Sequence, residues 1–82
     1  MKNENLYEKL FMKLYNAIDY MMKSFEQKDS ERNRTNYGSA TAYGSVLREL
    51  GYDVEIPAYE KDGYLVVDWF KINDKKYDFF HS

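Results

Sequence analysis

The chain has 82 residues, enough for one small domain, and at this size a single core is often supplemented by a partner or a covalent link. It contains no cysteine, which excludes disulfides, thiolate metal sites and cysteine nucleophiles. The formal net charge is only −2, but residues 52–82 carry seven acidic residues against four lysines, so this part of the chain is a poor surface for phosphate groups.

Two helices are predicted in the first two thirds of the chain. Over residues 4–27 apolar side chains recur at intervals of three and four from Leu6 to Phe25, which places one wide apolar stripe against a core. A second helix is predicted over residues 30–50, with Asp29 or Ser30 as its N-cap and Gly51 at its C-terminal end. The short polar connection between the two predicts an antiparallel pair.

Two glycines lie inside the second predicted helix. Gly38 and Gly44 each destabilise a helix interior by about 1 kcal/mol relative to alanine. Together with neighbouring alanines and serines they leave a face of low relief, on which we expect the bulky side chains Phe11, Tyr15 and Met22 of the first helix to pack. Close contact with a second copy or with a partner is the alternative.

After Gly51 the apolar spacing changes from helical to alternating. Val54, Ile56 and Ala58 alternate with polar residues, and two turn sequences follow, "EKDG" and "NDKK". Strands are therefore predicted over residues 53–59, 64–72 and 76–80. The predicted fold is an α+β domain over residues 1–82, in which an antiparallel helical pair precedes a three-stranded antiparallel β-meander.

The middle predicted strand is apolar on both faces. Two helices can cover only one face of a small sheet, so we expect the second face to stay partly open or to meet another chain. The aromatic residues expected there lie around Trp69 or Phe70, and they are Tyr59, Tyr77 and Phe79 or Phe80. Coverage by long side chains such as that of Lys71 is the alternative.

Enzymatic activity is not predicted. The single histidine, His81, is the next-to-last residue, which argues against a histidine-based triad or metal site. Asp74 and Lys76 have the D-x-K spacing of some metal-dependent nucleases, but a turn explains Asp74 equally well. Because no glycine-rich phosphate loop follows a strand, no cofactor is expected either.

Nucleic-acid binding is the first alternative function. Arginines in the second predicted helix, with a tyrosine among them, form a candidate basic and aromatic face: Arg32, Arg34, Tyr37 and Arg48. The negative net charge and the acidic aromatic sheet disfavour this function. A homodimer with a structural role is the second alternative.

The chain resembles the small accessory proteins of bacteriophages and mobile elements, anti-CRISPR inhibitors among them. The resemblance lies in its length, its many tyrosines, lysines and asparagines, its lack of cysteine and its helical pair followed by a meander. It implies a host protein of defence or replication as the target.

With neither a long apolar run nor a basic-then-apolar leader, the sequence predicts a cytoplasmic protein that is not inserted in a membrane.

An acidic, tyrosine-rich sheet suits a partner that handles nucleic acid. Carboxylates can take the place of phosphates and aromatic rings the place of bases in a basic channel of such a protein. The sequence therefore predicts a non-enzymatic protein-binding module. Its candidate contact residues are Asp53, Glu55, Tyr59, Glu60, Asp62, Tyr64, Asp68, Trp69, Tyr77 and Asp78.

Overall fold

The computed structural model describes residues 2–79, with side chains from Asn5 onward. Two helices come first, and the strands follow them, so the α+β class and the element order are confirmed. The elements are α1 Lys2–Glu26, α2 Ser30–Glu49, β1 Val54–Glu55, β2 Tyr59–Lys61, β3 Tyr64–Val66, β4 Trp69–Ile72 and β5 Lys75–Asp78. Within residues 2–79 neither helix is long and apolar enough to cross a membrane.

A tight corner joins the two helices. Lys28 takes the left-handed conformation, with φ 62°, and the N–H of Asp29 donates to the Ser24 carbonyl at 2.9 Å, which closes the end of α1. The Asp29 side chain then accepts from the N–H of Arg32 at 3.1 Å and caps α2. Asp29 therefore closes the first helix with its backbone N–H and caps the second with its side chain, as predicted.

The second helix ends at the predicted glycine. Gly51 has φ 100°, a conformation that other residues adopt only at a cost, and the Tyr52 N–H donates to the Leu47 carbonyl at 3.1 Å. The apolar stripes are shorter than predicted, since Leu6 and Leu50 at their outer ends are exposed.

The strands pair in the predicted order but are interrupted. An antiparallel sheet has the order β1-β4-β5, and β2 and β3 form a separate hairpin. The continuous strands predicted over 53–59 and 64–72 are wrong at residues 56–58 and 67–68. Three residues, 56–58, lie between Glu55 and Tyr59, whereas four residues, 67–70, lie between their partners Val66 and Lys71. Because the two segments differ by one residue, the pairing register of one sheet cannot continue into the other.

A proline lies in the first strand interruption, the last strand is shorter than predicted, and a tight turn joins β2 to β3. Pro57 lies in the first interruption, where its missing N–H removes a ladder hydrogen bond. The last strand ends at Asp78 rather than at residue 80, and Phe80 is outside the described residues. The β2–β3 turn has positive φ at both Asp62 (55°) and Gly63 (85°), the geometry of a two-residue hairpin.

Aromatic rings fill the space between α1 and the three-stranded sheet. Phe70 is fully buried, and its ring centroid lies 5.0 Å from that of Tyr77. From α1, Phe11 lies 4.9 Å from Tyr77 and Tyr15 lies 4.7 Å from the buried Phe79. The expectation that Phe70, Tyr77 and Phe79 belong to an open aromatic face is therefore wrong, because α1 covers them.

The two glycines of α2 have different surroundings. A Cβ on Gly44 would lie 2.9 Å from Cδ1 of Ile56 and 3.7 Å from Cγ1 of Val54, so β1 and the segment after it approach this helix closely. A Cβ on Gly38 would meet nothing within 4 Å. The predicted packing of α1 side chains on this face is wrong for both glycines.

Candidate partner-binding surface

The ten predicted contact residues lie in four different places. Some occupy the outer face of the three-stranded sheet, some belong to the β2–β3 hairpin, Asp53 and Asp68 lie outside the strands, and Tyr77 lies on the inner face under α1. No single surface therefore brings all ten together.

The outer face of the three-stranded sheet carries charges of both signs. The pairs Glu55↔Lys71, Lys71↔Lys76 and Trp69↔Asp78 place these side chains on the face opposite Phe70. The Lys76 ammonium lies 5.0 Å from the Trp69 ring centroid and 3.8 Å from the Asp78 carboxylate. A lysine thus covers the half-buried tryptophan, and this face is mixed in charge rather than acidic.

Asp53 precedes this sheet and has a backbone role. Its N–H donates to the Asn73 side-chain oxygen at 2.9 Å, and its carbonyl accepts from the Asn73 N–H at 2.7 Å. These two bonds tie the β4–β5 turn to the start of β1. The Asp53 carboxylate itself is not part of them, and the residue is exposed.

Tyr64 joins the hairpin to the corner between the helices. Its hydroxyl donates to the Lys28 carbonyl at 3.1 Å, and its ring meets Phe25 edge-on, with centroids 5.8 Å apart. The Lys28 ammonium lies 5.9 Å from both ring centroids. Since its hydroxyl and ring both contact the chain itself, Tyr64 positions the hairpin.

Tyr59 is the exposed aromatic residue of the hairpin. About half of it faces solvent, and its hydroxyl donates to Oδ2 of Asp68 at 3.0 Å. That hydrogen bond to the carboxylate raises the pKa of the Tyr59 phenol above its usual value. The structure therefore brings two of the predicted residues together, and it holds the exposed ring in one orientation.

A cavity of about 280 Å³ opens beside Tyr59. It lies between the C-terminal half of α1 and the hairpin, and apolar side chains and charged groups both line it. The lining residues are Asp19, Met22, Lys23, Phe25, Glu26, Tyr59, Lys61, Val66, Asp68 and Phe79. Only Tyr59 and Asp68 among them are predicted contact residues.

The remaining hairpin residues lie at its solvent edge. Glu60 and Asp62 are exposed, and the Glu60 carboxylate is 3.8 Å from Nη2 of Arg34. The same Arg34 nitrogen donates to the Gly63 carbonyl at 3.2 Å. Both side chains of the ion pair are more than half exposed, so it contributes little to stability.

The arginines predicted as a nucleic-acid face are spread along α2. Arg48 donates from Nε and Nη2 to the Val54 carbonyl, at 3.0 and 2.9 Å, near the end of the helix opposite to Arg34. Fourteen residues of helix separate the two, which corresponds to about 21 Å. Arg32 lies 3.5 Å from the capping carboxylate of Asp29, and Tyr37 packs against the core. These four residues do not form one compact basic patch.

Metal-ligating side chains are not clustered in the described part of the chain. Within residues 2–79 no three histidine, aspartate or glutamate side chains are arranged to hold a metal ion together. This includes the three carboxylates of the cavity.

One positioning residue was not predicted. Asn33 is fully buried on α2; its Nδ2 donates to the carbonyls of Met21 (3.1 Å) and Leu65 (2.9 Å), and its Oδ1 accepts from the Leu65 N–H at 2.8 Å. The Asn33 side-chain amide thus donates to and accepts from the backbone of Leu65, as a neighbouring strand would. It attaches the hairpin to both helices. The sequence feature that could have identified Asn33 is its position in the helical stripe that continues through Tyr37 and Ala40.

Comparisons with protein-family models, with curated proteins and with solved structures yield no match for this chain.

Proposed function

We propose that this chain is a non-enzymatic protein-binding module whose contact surface is the β2–β3 hairpin and the mouth of the adjoining cavity. The observation that supports the proposal is Tyr59, an exposed aromatic side chain whose hydroxyl is already bonded to Asp68 at 3.0 Å. Tyrosine supplies a large contact area at low entropic cost. Because the ring is held before binding, less order must be imposed on association.

The partner we propose is a protein with a basic surface, such as a host protein that binds nucleic acid. Asp62 presents an exposed carboxylate on the hairpin, where Glu60 is paired with Arg34, and the acidic C-terminal part of the chain adds a longer-range attraction. The further proposal of a phage or mobile-element inhibitor of a defence protein rests on the resemblance described above.

A capture experiment with two tyrosine variants tests this function. The tagged chain, Tyr59→Ala and Tyr20→Ala are each incubated with a bacterial lysate, once before and once after nuclease treatment. Tyr20 is a matched control because it is also about half exposed but lies on α1, outside the cavity lining. We expect one identifiable protein to bind the wild type and Tyr20→Ala directly, and its affinity to fall by about tenfold or more with Tyr59→Ala.

Purified components decide the outcome. Direct binding of the recombinant captured protein, at a one-to-one ratio and with the same response to the two variants, supports the proposal. If Tyr59→Ala binds as well as the wild type, the proposed surface is wrong. If capture occurs only before nuclease treatment, the chain is a nucleic-acid-binding protein instead.

A further inference from the structure

The cavity beside Tyr59 provides a separate clue to what the partner presents. We infer that it receives the side chain of an arginine of the partner protein, an inference that rests on the proposed function. Its volume, its charge and its walls support this occupant.

The volume suits one side chain. At about 280 Å³ the cavity is slightly smaller than the pockets of about 300 to 1,000 Å³ that bind drug-sized ligands. A single long side chain entering from a partner fits this volume.

The charges favour a cation. Three carboxylates and two lysines line the cavity, and one lysine, Lys23, is bound to Asp19 at 3.1 Å. This leaves the carboxylates of Glu26 and Asp68 with the single ammonium of Lys61, a residual charge of −1. Oδ2 of Asp68 accepts the Tyr59 hydroxyl, and its second oxygen has no hydrogen-bond donor among the described residues. An entering cation therefore finds one more negative than positive group.

The walls favour guanidinium over ammonium. Phe25, Tyr59 and Phe79 contribute aromatic surface, and Met22 and Val66 contribute aliphatic surface. A planar guanidinium is weakly hydrated, stacks on aromatic faces and donates two parallel hydrogen bonds to a carboxylate, whereas an ammonium is compact and strongly hydrated. An arginine can thus bury its stem against the apolar wall while its head meets Glu26 or Asp68.

The test uses small probes on the full chain. N-acetyl-arginine methylamide is titrated into isotope-labelled protein, and the Met22 methyl and the Phe25 and Phe79 rings are followed by NMR. The citrulline analogue has the same shape without the charge, and the lysine analogue has the charge without the plane. We expect saturable shifts with the arginine probe and about tenfold weaker binding of the citrulline probe.

Charge variants test whether affinity for the arginine probe follows the charge of the cavity. Glu26→Gln should weaken the arginine probe by about tenfold, and Glu49→Gln, the same change at the far end of α2, should leave it unchanged. Lys61→Gln should strengthen binding, because it removes the competing cation. Circular dichroism melts of each variant verify that it is folded.

Several results would overturn the inference. These are the lack of saturable shifts, equal binding of the citrulline or lysine probe, and equal effects of Glu26→Gln and Glu49→Gln. Failure here differs from failure of the proposed function, since a partner captured through Tyr59 would still bind if the cavity did not accept arginine. Conversely, arginine binding without any captured protein would leave the cavity assignment intact and remove the function.

Discussion

The three-stranded sheet and the β2–β3 hairpin are neighbours along the same chain, but the balance of apolar and polar contacts that holds them in place differs. The sheet lies under α1, with Phe70 fully buried in a cluster of aromatic rings. The hairpin has three exposed residues in β2. In β3, Val66 is buried and Leu65 packs against the core, and polar bonds from Asn33, Arg34 and Tyr64 also attach the hairpin to the rest of the molecule.

The difference separates stability from binding. Burial of a large aromatic side chain contributes several kcal/mol, whereas each hydrogen bond contributes about 1 kcal/mol net. The aromatic cluster of the sheet therefore supplies much of the stability, and the exposed strand β2 presents Tyr59 to solvent.

The largest expected effect is at the sheet. Phe70→Ala should lower the free energy of unfolding by about 3 to 5 kcal/mol, because it leaves a cavity beneath α1. A domain of this length has a total stability of about 4 to 12 kcal/mol, so this loss affects the whole fold. Urea denaturation followed by circular dichroism measures it.

A milder variant keeps the prediction measurable. If Phe70→Ala does not fold, Phe70→Leu retains most of the volume and should cost less than about 1.5 kcal/mol. A loss below about 1 kcal/mol for Phe70→Ala would mean that the aromatic cluster does not stabilise the sheet as described.

The hairpin depends most on Asn33. Asn33→Ala removes three hydrogen bonds and leaves the Leu65 backbone groups without their partner, so we expect a loss of about 3 kcal/mol in unfolding free energy. Asn36→Ala is the control on the same helix, since the Asn36 amide donates only to the Arg32 carbonyl at an exposed site. It should change stability by about 0.5 kcal/mol or less.

Amide exchange shows where the Asn33 effect is felt. Leu65 in the hairpin should lose more protection than Ile72 in the sheet when Asn33 is replaced. Equal losses at the two amides would mean that the hairpin and the sheet open as one unit.

The two glycines of α2 should respond differently to alanine. Gly38→Ala should raise the unfolding free energy by about 1 kcal/mol, since its Cβ meets nothing and alanine favours a helix. Gly44→Ala should gain less or lose stability, because Cδ1 of Ile56 lies 2.9 Å from the added Cβ and must rotate away. Thermal melts of both variants test the order, and a larger gain at Gly44 would contradict the close approach of Ile56.

The smallest effect is the titration of Tyr59. The hydrogen bond to Asp68 raises the phenol pKa, so the folded chain holds this proton more tightly than the unfolded chain does. The associated stabilisation is present below the ordinary tyrosine pKa and is lost as the pH rises through the folded-state pKa.

Asp68→Asn tests the cause of that shift. It should lower the pKa of Tyr59 towards its ordinary value of 10.0, as followed by NMR of labelled tyrosine at alkaline pH. An unchanged Tyr59 pKa in Asp68→Asn would show that the bond does not form.

Helices, caps and turn positions were predictable from the sequence because their signals are local. Asp29 and Gly51 each perform the predicted role, and Asp62 and Gly63 form the turn predicted at "EKDG". The strand interruption was missed because it depends on a one-residue mismatch between two distant segments. The covering of Phe70 by α1 was missed because alternation alone does not say which face of a strand a helix occupies.

The candidate site was predictable only in part for the same reason. Tyr59 and Asp68 are nine residues apart and meet because the chain reverses at Asp62 and Gly63. The cavity also requires Glu26 of α1, more than thirty positions before Tyr59. No local pattern reports that three-dimensional arrangement.

The most direct test of the proposed binding surface is amide hydrogen exchange of this chain with and without the captured protein. We expect slower exchange over residues 59–68 in the complex and unchanged exchange over residues 36–43 of α2. Slower exchange confined to α2, with residues 59–68 unaffected, would mean that the partner does not bind the hairpin.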